Sequence, residues 1–110
     1  MTIRDMVQER RKKMLDDMPP AAARQMLVEF TALYGSCLDA VRAADHAYAL
    51  VLLQHLDSGE PANRARIRAA TSPEYQRKRE ADDTTALVLE SIRSLKTMLR
   101  SLDNEMGLAR

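Results

Sequence analysis

A chain of 110 residues with three glycines, four prolines, no tryptophan and one cysteine fits a single helical domain and excludes a disulfide framework within the chain. Net charge is only +1, yet residues 61–79 hold six cations against one carboxylate, so the positive charge is local. Aromatic residues make up 4% of the sequence, which leaves any core to Leu, Val, Ile, Met and Ala.

The opening MTIRDMVQERRKK puts charges where a signal peptide needs its apolar run. With Cys37 the lone thiol, a cytoplasmic location is expected. The same stretch predicts an amphipathic helix within residues 1–18, from about Ile3 to Asp17, with Thr2 and Asp5 at capping-box spacing and Pro19-Pro20 as its stop. Ile3, Met6, Val7, Met14 and Met18 form its apolar stripe, which Arg10 interrupts, while Arg11 and Lys12 fall opposite. Such a helix docks on the body or frays as an arm. Arg10, Arg11, Lys12 and Lys13 are a minor cationic patch, partly offset by Asp16 and Asp17.

A second helix is expected over 20–57, since proline suits a first turn. Leu27, Phe30, Tyr34, Cys37, Val41, Ala44, Tyr48 and Val51 follow heptad spacing, and Gly35-Ser36 is a possible kink. The run AYALVLL at 47–53 is too short to span a bilayer and is apolar on every side. A helix of that kind needs more than one neighbour, which argues for self-assembly.

Asp57-Ser58-Gly59-Glu60 reads as a turn, and Pro61 opens a short basic helix over 61–70. Ser72 then caps a last helix over 73–106 that Gly107 ends, with Ala81, Val88, Ile92, Leu95, Leu99, Leu102 and Met106 as its seam. The expected fold is all-α: a long antiparallel helical hairpin with a short N-terminal helix and a short basic helix at the turn, assembling as an oligomeric helical bundle. Tyr48, Val51, Leu52, Val88, Ile92, Leu95, Leu99 and Leu102 are the expected oligomerisation residues. The seven methionines read as core rather than as an adaptable groove.

Catalytic constellations are missing from the sequence. His46 lies nine residues from both Cys37 and His55, which is no metal-site spacing, and Asp39, Asp45 and Asp57 show no paired-carboxylate pattern. Neither Gly35-Ser36 nor Ser58-Gly59 belongs to a phosphate loop. The expectation is a non-enzyme without metal or cofactor.

The candidate site is therefore the stretch EPANRARIRAATSPEYQRKRE, residues 60–80. Arg64, Arg66, Arg68, Arg77, Lys78 and Arg79 supply cations for phosphates, and Tyr75 supplies a ring for stacking on bases, a combination suited to single-stranded DNA. Arginine outnumbers lysine thirteen to four, which favours bidentate anion contacts. A solvated helix face with a Glu74–Lys78 pair explains the run about equally well. Arg93, Lys96 and Arg100 read as flanking charges of a coiled coil, with Arg79 at the same heptad position.

The sequence from AYALVLLQHLDSGEP through the Arg-rich helix to SPEYQRKREADDTTALVLESIRSLKTMLRSL, roughly residues 45–106, resembles small helical recombination-accessory proteins of phages and prophages. More distantly it resembles the UvsY-type recombination mediators of T-even phages. That resemblance implies an oligomeric single-stranded-DNA-binding protein that helps a RecA-class recombinase displace a single-strand-binding protein. It assigns the DNA contact to the basic stretch and self-assembly to the apolar seams. Two other readings stand beside it: a helical adaptor or inhibitor docking on another protein, such as an anti-defence or regulatory factor, and a structural coiled-coil subunit.

Overall fold

The computed structural model describes residues 2–14 and 18–108, and among these every regular element is helical. The helices are α1 (Ile3–Met14), α2 (Pro20–Asp57), α3 (Ala62–Ala70) and α4 (Pro73–Leu108). The extension of the first helix to Asp17 lies outside what is described, as does the side chain of Met106, the last position of the expected α4 seam.

The helix ends follow from local chemistry. Before α1, the Thr2 amide donates to Asp5 Oδ2 at 3.2 Å and the Asp5 amide donates to Thr2 Oγ1 at 3.1 Å, a reciprocal capping box. Hydrogen bonding to the carboxyl by the Thr2 backbone foremost, and then by its side chain, holds Asp5 below its ordinary range. α2 is helical through Gly35-Ser36, the position read as a candidate kink. A mid-helix glycine costs only about 1 kcal/mol, too little to break so long a helix. α2 ends where Gly59 takes φ +85° and its amide donates to the Leu56 carbonyl at 3.1 Å. α3 starts at Ala62, one residue later than expected, because Pro61 stays extended at φ −56°, ψ 144° as its N-cap. At the start of α4, Ser72 Oγ accepts from the Tyr75 amide at 3.2 Å, the cap that the sequence predicts.

By packing, the chain divides into two compact units: Met1–Ser36 with Ala86–Arg110, and Cys37–Thr85. The first holds α1, the beginning of α2 and most of α4. Its buried side chains include Val7, Met26, Phe30, Leu33, Val88 and Leu95, of which Phe30, Val7, Val88 and Leu95 are wholly inaccessible. On α2 the inward stripe is Ala23, Met26, Phe30, Leu33 and Cys37, so Leu27 and Tyr34 of the expected seam sit half-buried at its edge.

α1 is docked rather than frayed. Val7 is fully buried, and the Arg11 guanidinium donates to Ser91 Oγ at 2.9 Å and to the Leu87 carbonyl at 3.2 Å on α4. Arg10, expected to interrupt the apolar stripe, pairs instead with Glu29 of α2 at 3.4 Å. Neither arginine belongs to a cationic patch, because each is spent on a neighbouring helix. Long arginine stems cover apolar surface while their heads find partners, which is why the period alone misplaced them.

The second unit, Cys37–Thr85, contains the rest of α2, all of α3 and the beginning of α4. Its contacts run in opposite order along the two long helices: Tyr48 meets Tyr75, Asp45 meets Lys78, and Cys37 lies beside the Thr85 hydroxyl. Within this unit, therefore, those segments are antiparallel. Fully enclosed side chains here are small, Ala65 and Ala69 of α3 being completely buried and Cys37 nearly so. Alanines on one face let α3 approach its neighbours closely. Burial pushes the Cys37 thiol up in pKa, with the Thr85 hydroxyl opposing the shift.

Two substitutions test this packing. Phe30→Ala should cost about 3–5 kcal/mol, as truncating a buried aromatic does. Gly59→Ala should cost about 1–2 kcal/mol from the left-handed backbone alone, since no atom lies within 4 Å of a Cβ built there. Urea unfolding of each variant against wild type measures both. A Phe30 variant as stable as wild type would mean that this side chain is not packed as described.

Candidate nucleic-acid interface

The basic stretch lies wholly within the Cys37–Thr85 unit, on α3 and the first two turns of α4. At about 100° per residue, Arg64 and Arg68 share one side of α3 while Arg66 projects about 160° away from Arg64. Ala65 and Ala69 face inward, so the outward crest falls to Ile67, which is 67% exposed. Arg77 and Arg79 are likewise nearly opposed around α4. The cations flank two helices; they do not line one groove.

Ion pairing then sorts them. Arg68 is committed to Glu60, its Nη1 lying 2.7 Å from Oε1. Glu60 is largely enclosed, and its second oxygen lies 3.8 Å from His55 Nδ1 without a hydrogen bond among the described residues. Lys78 is committed too: its ammonium lies 3.2 Å from Asp45 and 3.3 Å from Asp82. The expected partner of Lys78 was Glu74, one turn earlier; the structure instead supplies Asp82 one turn later and Asp45 from α2. The hydrogen bonds from Lys78 to Asp45 and then Asp82 raise its pKa above the ordinary lysine value. Among the described residues Arg64, Arg66, Arg77 and Arg79 are exposed and have no ion-pair partner.

Tyr75 is half-buried, its ring centroid 5.5 Å from that of Tyr48 at an interplanar angle of 48°. That tilted pair holds α4 against α2. The ring expected to stack on bases is thus occupied by a protein neighbour on at least one side.

The expected oligomerisation residues divide in the same way. Val88 and Leu95 are completely buried within the chain itself, so they are core and present no face to a partner. Tyr48, Val51, Leu52, Ile92, Leu99 and Leu102 are half-buried. The uncovered apolar side chains of α2's second half are others, Leu50, Leu53 and Leu56, 47%, 52% and 41% exposed. Heptad counting located a seam correctly as apolar but could not tell the face turned inward from the one turned out. The three-residue spacing of Leu50, Leu53 and Leu56, the first two within the apolar run 47–53, was the available signal. Glu60 was missed as an organising group because nothing in its local sequence separates it from the other turn residues.

Arg93, Lys96 and Arg100 are exposed on α4, and a shallow groove beside them is lined by Glu90, Arg93, Ser94, Thr97 and Met98. No three His, Cys, Asp or Glu side chains among the described residues are grouped to hold a metal ion. No helix among them is long and apolar enough to cross a membrane.

Comparison with known proteins returned no matching family model, no matching curated protein and no matching solved structure. The class that fold and site define is an all-helical protein with an exposed arginine cluster.

The Lys78 contacts carry a pH signature. Its raised pKa means that the folded state holds the proton more tightly, so the stabilisation is fully present below the unfolded value of about 10.4 and is lost as pH rises through the folded one. Melting temperatures of wild type should therefore fall more steeply above about pH 10 than those of Lys78→Gln. Equal slopes would show that the Asp45 and Asp82 contacts contribute nothing in solution.

Proposed function

We propose that this protein binds single-stranded DNA without catalysing a reaction, and that it acts as an oligomeric accessory in DNA recombination of the recombinase-loading type. The observation that carries the reading is the set of four exposed arginines, Arg64, Arg66, Arg77 and Arg79, free of ion-pair partners among the described residues. Neighbouring cations of the same stretch, Arg68 and Lys78, are consumed by carboxylates. Arginines kept exposed and unpaired within one stretch are available for phosphate contacts, and a flexible strand can follow cations that project to both sides of a helix. The layout assumed is the antiparallel hairpin of α2 and α4 with α3 at its turn. Repeating a modest site in several copies raises avidity without new contacts. A RecA-class recombinase or a single-strand-binding protein is the protein partner of this reading.

A docking role on another protein has its own supporting observation, the exposed Ile67 on the crest of α3 between the arginines. An apolar residue ringed by arginines suits an acidic protein surface.

The two readings differ in salt dependence and in ligand. Each phosphate neutralised on a single strand contributes about −0.7 to the slope of log affinity against log salt, so four arginines predict about −3 per chain. Replacing Arg77 and Arg79 by alanine should reduce that slope by about 1.4, whereas Lys78→Gln should leave it nearly unchanged. Fluorescence anisotropy with a labelled oligonucleotide, alongside duplex of the same sequence, measures both. Absence of binding at low salt, or a slope indifferent to the arginines, would overturn the DNA reading.

A further inference from the structure

A second group of cations is left without partners on α4, outside the unit that holds α3. Arg93, Lys96 and Arg100 are exposed and make no ion pair among the described residues. At about 100° per residue they lie about 170°, 110° and 150° from the mean direction of the buried Thr84, Val88, Ser91 and Leu95. Arg93 and Arg100 therefore stand on the side turned away from the core, whereas flanking charges of a coiled coil border the packed seam. Thr97 and Asn104, both exposed, fall within about 40° of Arg93 on the same arc.

Cations on a helix are commonly offset by carboxylates one turn away. Here the two at that spacing are engaged by other helices. Glu90, three residues before Arg93, lies 4.0 Å from Arg11 of α1, and Asp103, three after Arg100, lies 3.8 Å from Arg24 of α2. Lys96 has no carboxylate three or four residues away in either direction. The remaining carboxylate of residues 86–110, Glu105, projects about 140° around the helix from Arg100. Arg11 and Arg24 each bring a positive charge to the carboxylate they meet, so counting both pairs still leaves the stripe at +3.

The chemistry of the stripe selects its ligand. Arg93 to Arg100 covers about 10.5 Å along the helix, the length of about three nucleotides at the 3.4 Å rise of a stacked strand. Guanidinium forks match phosphate oxygens, and the Thr97 hydroxyl and Asn104 amide, which make no hydrogen bond among the described residues, add neutral donors. None of the exposed large hydrophobic side chains among the described residues lies on α4. The stripe thus lacks both the apolar anchor around which protein interfaces are built and the apolar face with which helices enter membranes.

We infer that the outer face of α4 from Arg93 to Asn104 is a second phosphate-contacting surface for single-stranded DNA, belonging to the unit of Met1–Ser36 with Ala86–Arg110. The inference rests on the ligand of the proposed function and on none of its residues.

Fluorescence anisotropy of a labelled oligonucleotide on the full-length chain, from about 50 to 200 mM salt, tests it. Three further cations add about −2 to the slope of log affinity against log salt, so wild type should reach about −5 per chain instead of −3. Arg93→Ala with Lys96→Ala and Arg100→Ala should remove that increment, a roughly twenty-fold smaller loss of affinity across this range. Its helical circular dichroism should be unchanged, since alanine is the strongest helix former. Lys12→Ala with Lys13→Ala, which removes two exposed cations from α1, should keep the wild-type slope. An unaltered slope in the folded triple variant overturns the inference. So does a proportionate fall in the Lys12 and Lys13 variant, which would show that the strand reads net charge alone. A triple variant that loses affinity for polyglutamate but keeps its oligonucleotide slope assigns the stripe to acidic protein surfaces and overturns it as well. The two sites fail separately. A slope lowered by Arg77→Ala with Arg79→Ala but not by the triple variant defeats only this surface; the reverse retains it and defeats the first.

Discussion

Four residues of α4, Thr84, Val88, Ser91 and Leu95, set the conditions for the rest of the protein. Spaced four, three and four apart, they all lie on one side of the helix and are all buried. Burying an apolar side chain of this size contributes about 1.5–3 kcal/mol. A buried hydroxyl is favourable only when it is hydrogen-bonded. Ser91 meets that requirement twice, donating to the Leu87 carbonyl at 2.8 Å and accepting from Arg11 at 2.9 Å. The second bond is what makes α1 part of the packed unit, since it couples the burial of Val7 to a polar group that needs a partner.

The same principle governs the cationic stretch. A cation near a carboxylate held in place by packing pairs with it; a cation beyond such reach stays solvated. Glu60 is fixed at the turn between α2 and α3 and takes Arg68, while Asp45 on α2 takes Lys78. The remaining arginines project away from those carboxylates. What sequence composition presents as one basic cluster is therefore two populations, a structural pair and four exposed arginines.

The two units also differ in how they satisfy the hydrophobic effect. Around α1, large side chains such as Phe30 and Leu95 are enclosed by the chain itself. In the Cys37–Thr85 unit, alanines let α3 close in, and the leucines on the far side of α2 are left in solvent. An apolar run with two sides can satisfy only one of them with a single neighbouring helix.

Helix identity and most helix ends were legible in the sequence because they depend on neighbours within one turn; Gly107, read as the end of α4, instead lies inside a helix that runs to Leu108. Thr2 with Asp5, Pro61, Ser72-Pro73 and Gly59 act through hydrogen bonds and backbone dihedrals that span at most four residues. The presence of a basic stretch and of an apolar run followed from composition alone. The face each residue would present was not legible. Val88 and Leu95, read as assembly residues, became core; Arg10 and Arg11, read as interruption and outer face, became bridges between helices; Lys78 chose Asp45 and Asp82 over Glu74. Each of those outcomes turns on which helix lies alongside, and periodicity is blind to that. The sequence by itself determined the helices and the chemistry available on them. Tertiary structure decided which of that chemistry is spent in packing and pairing and which is left exposed, because burial and charge pairing depend on distances between residues far apart in the chain.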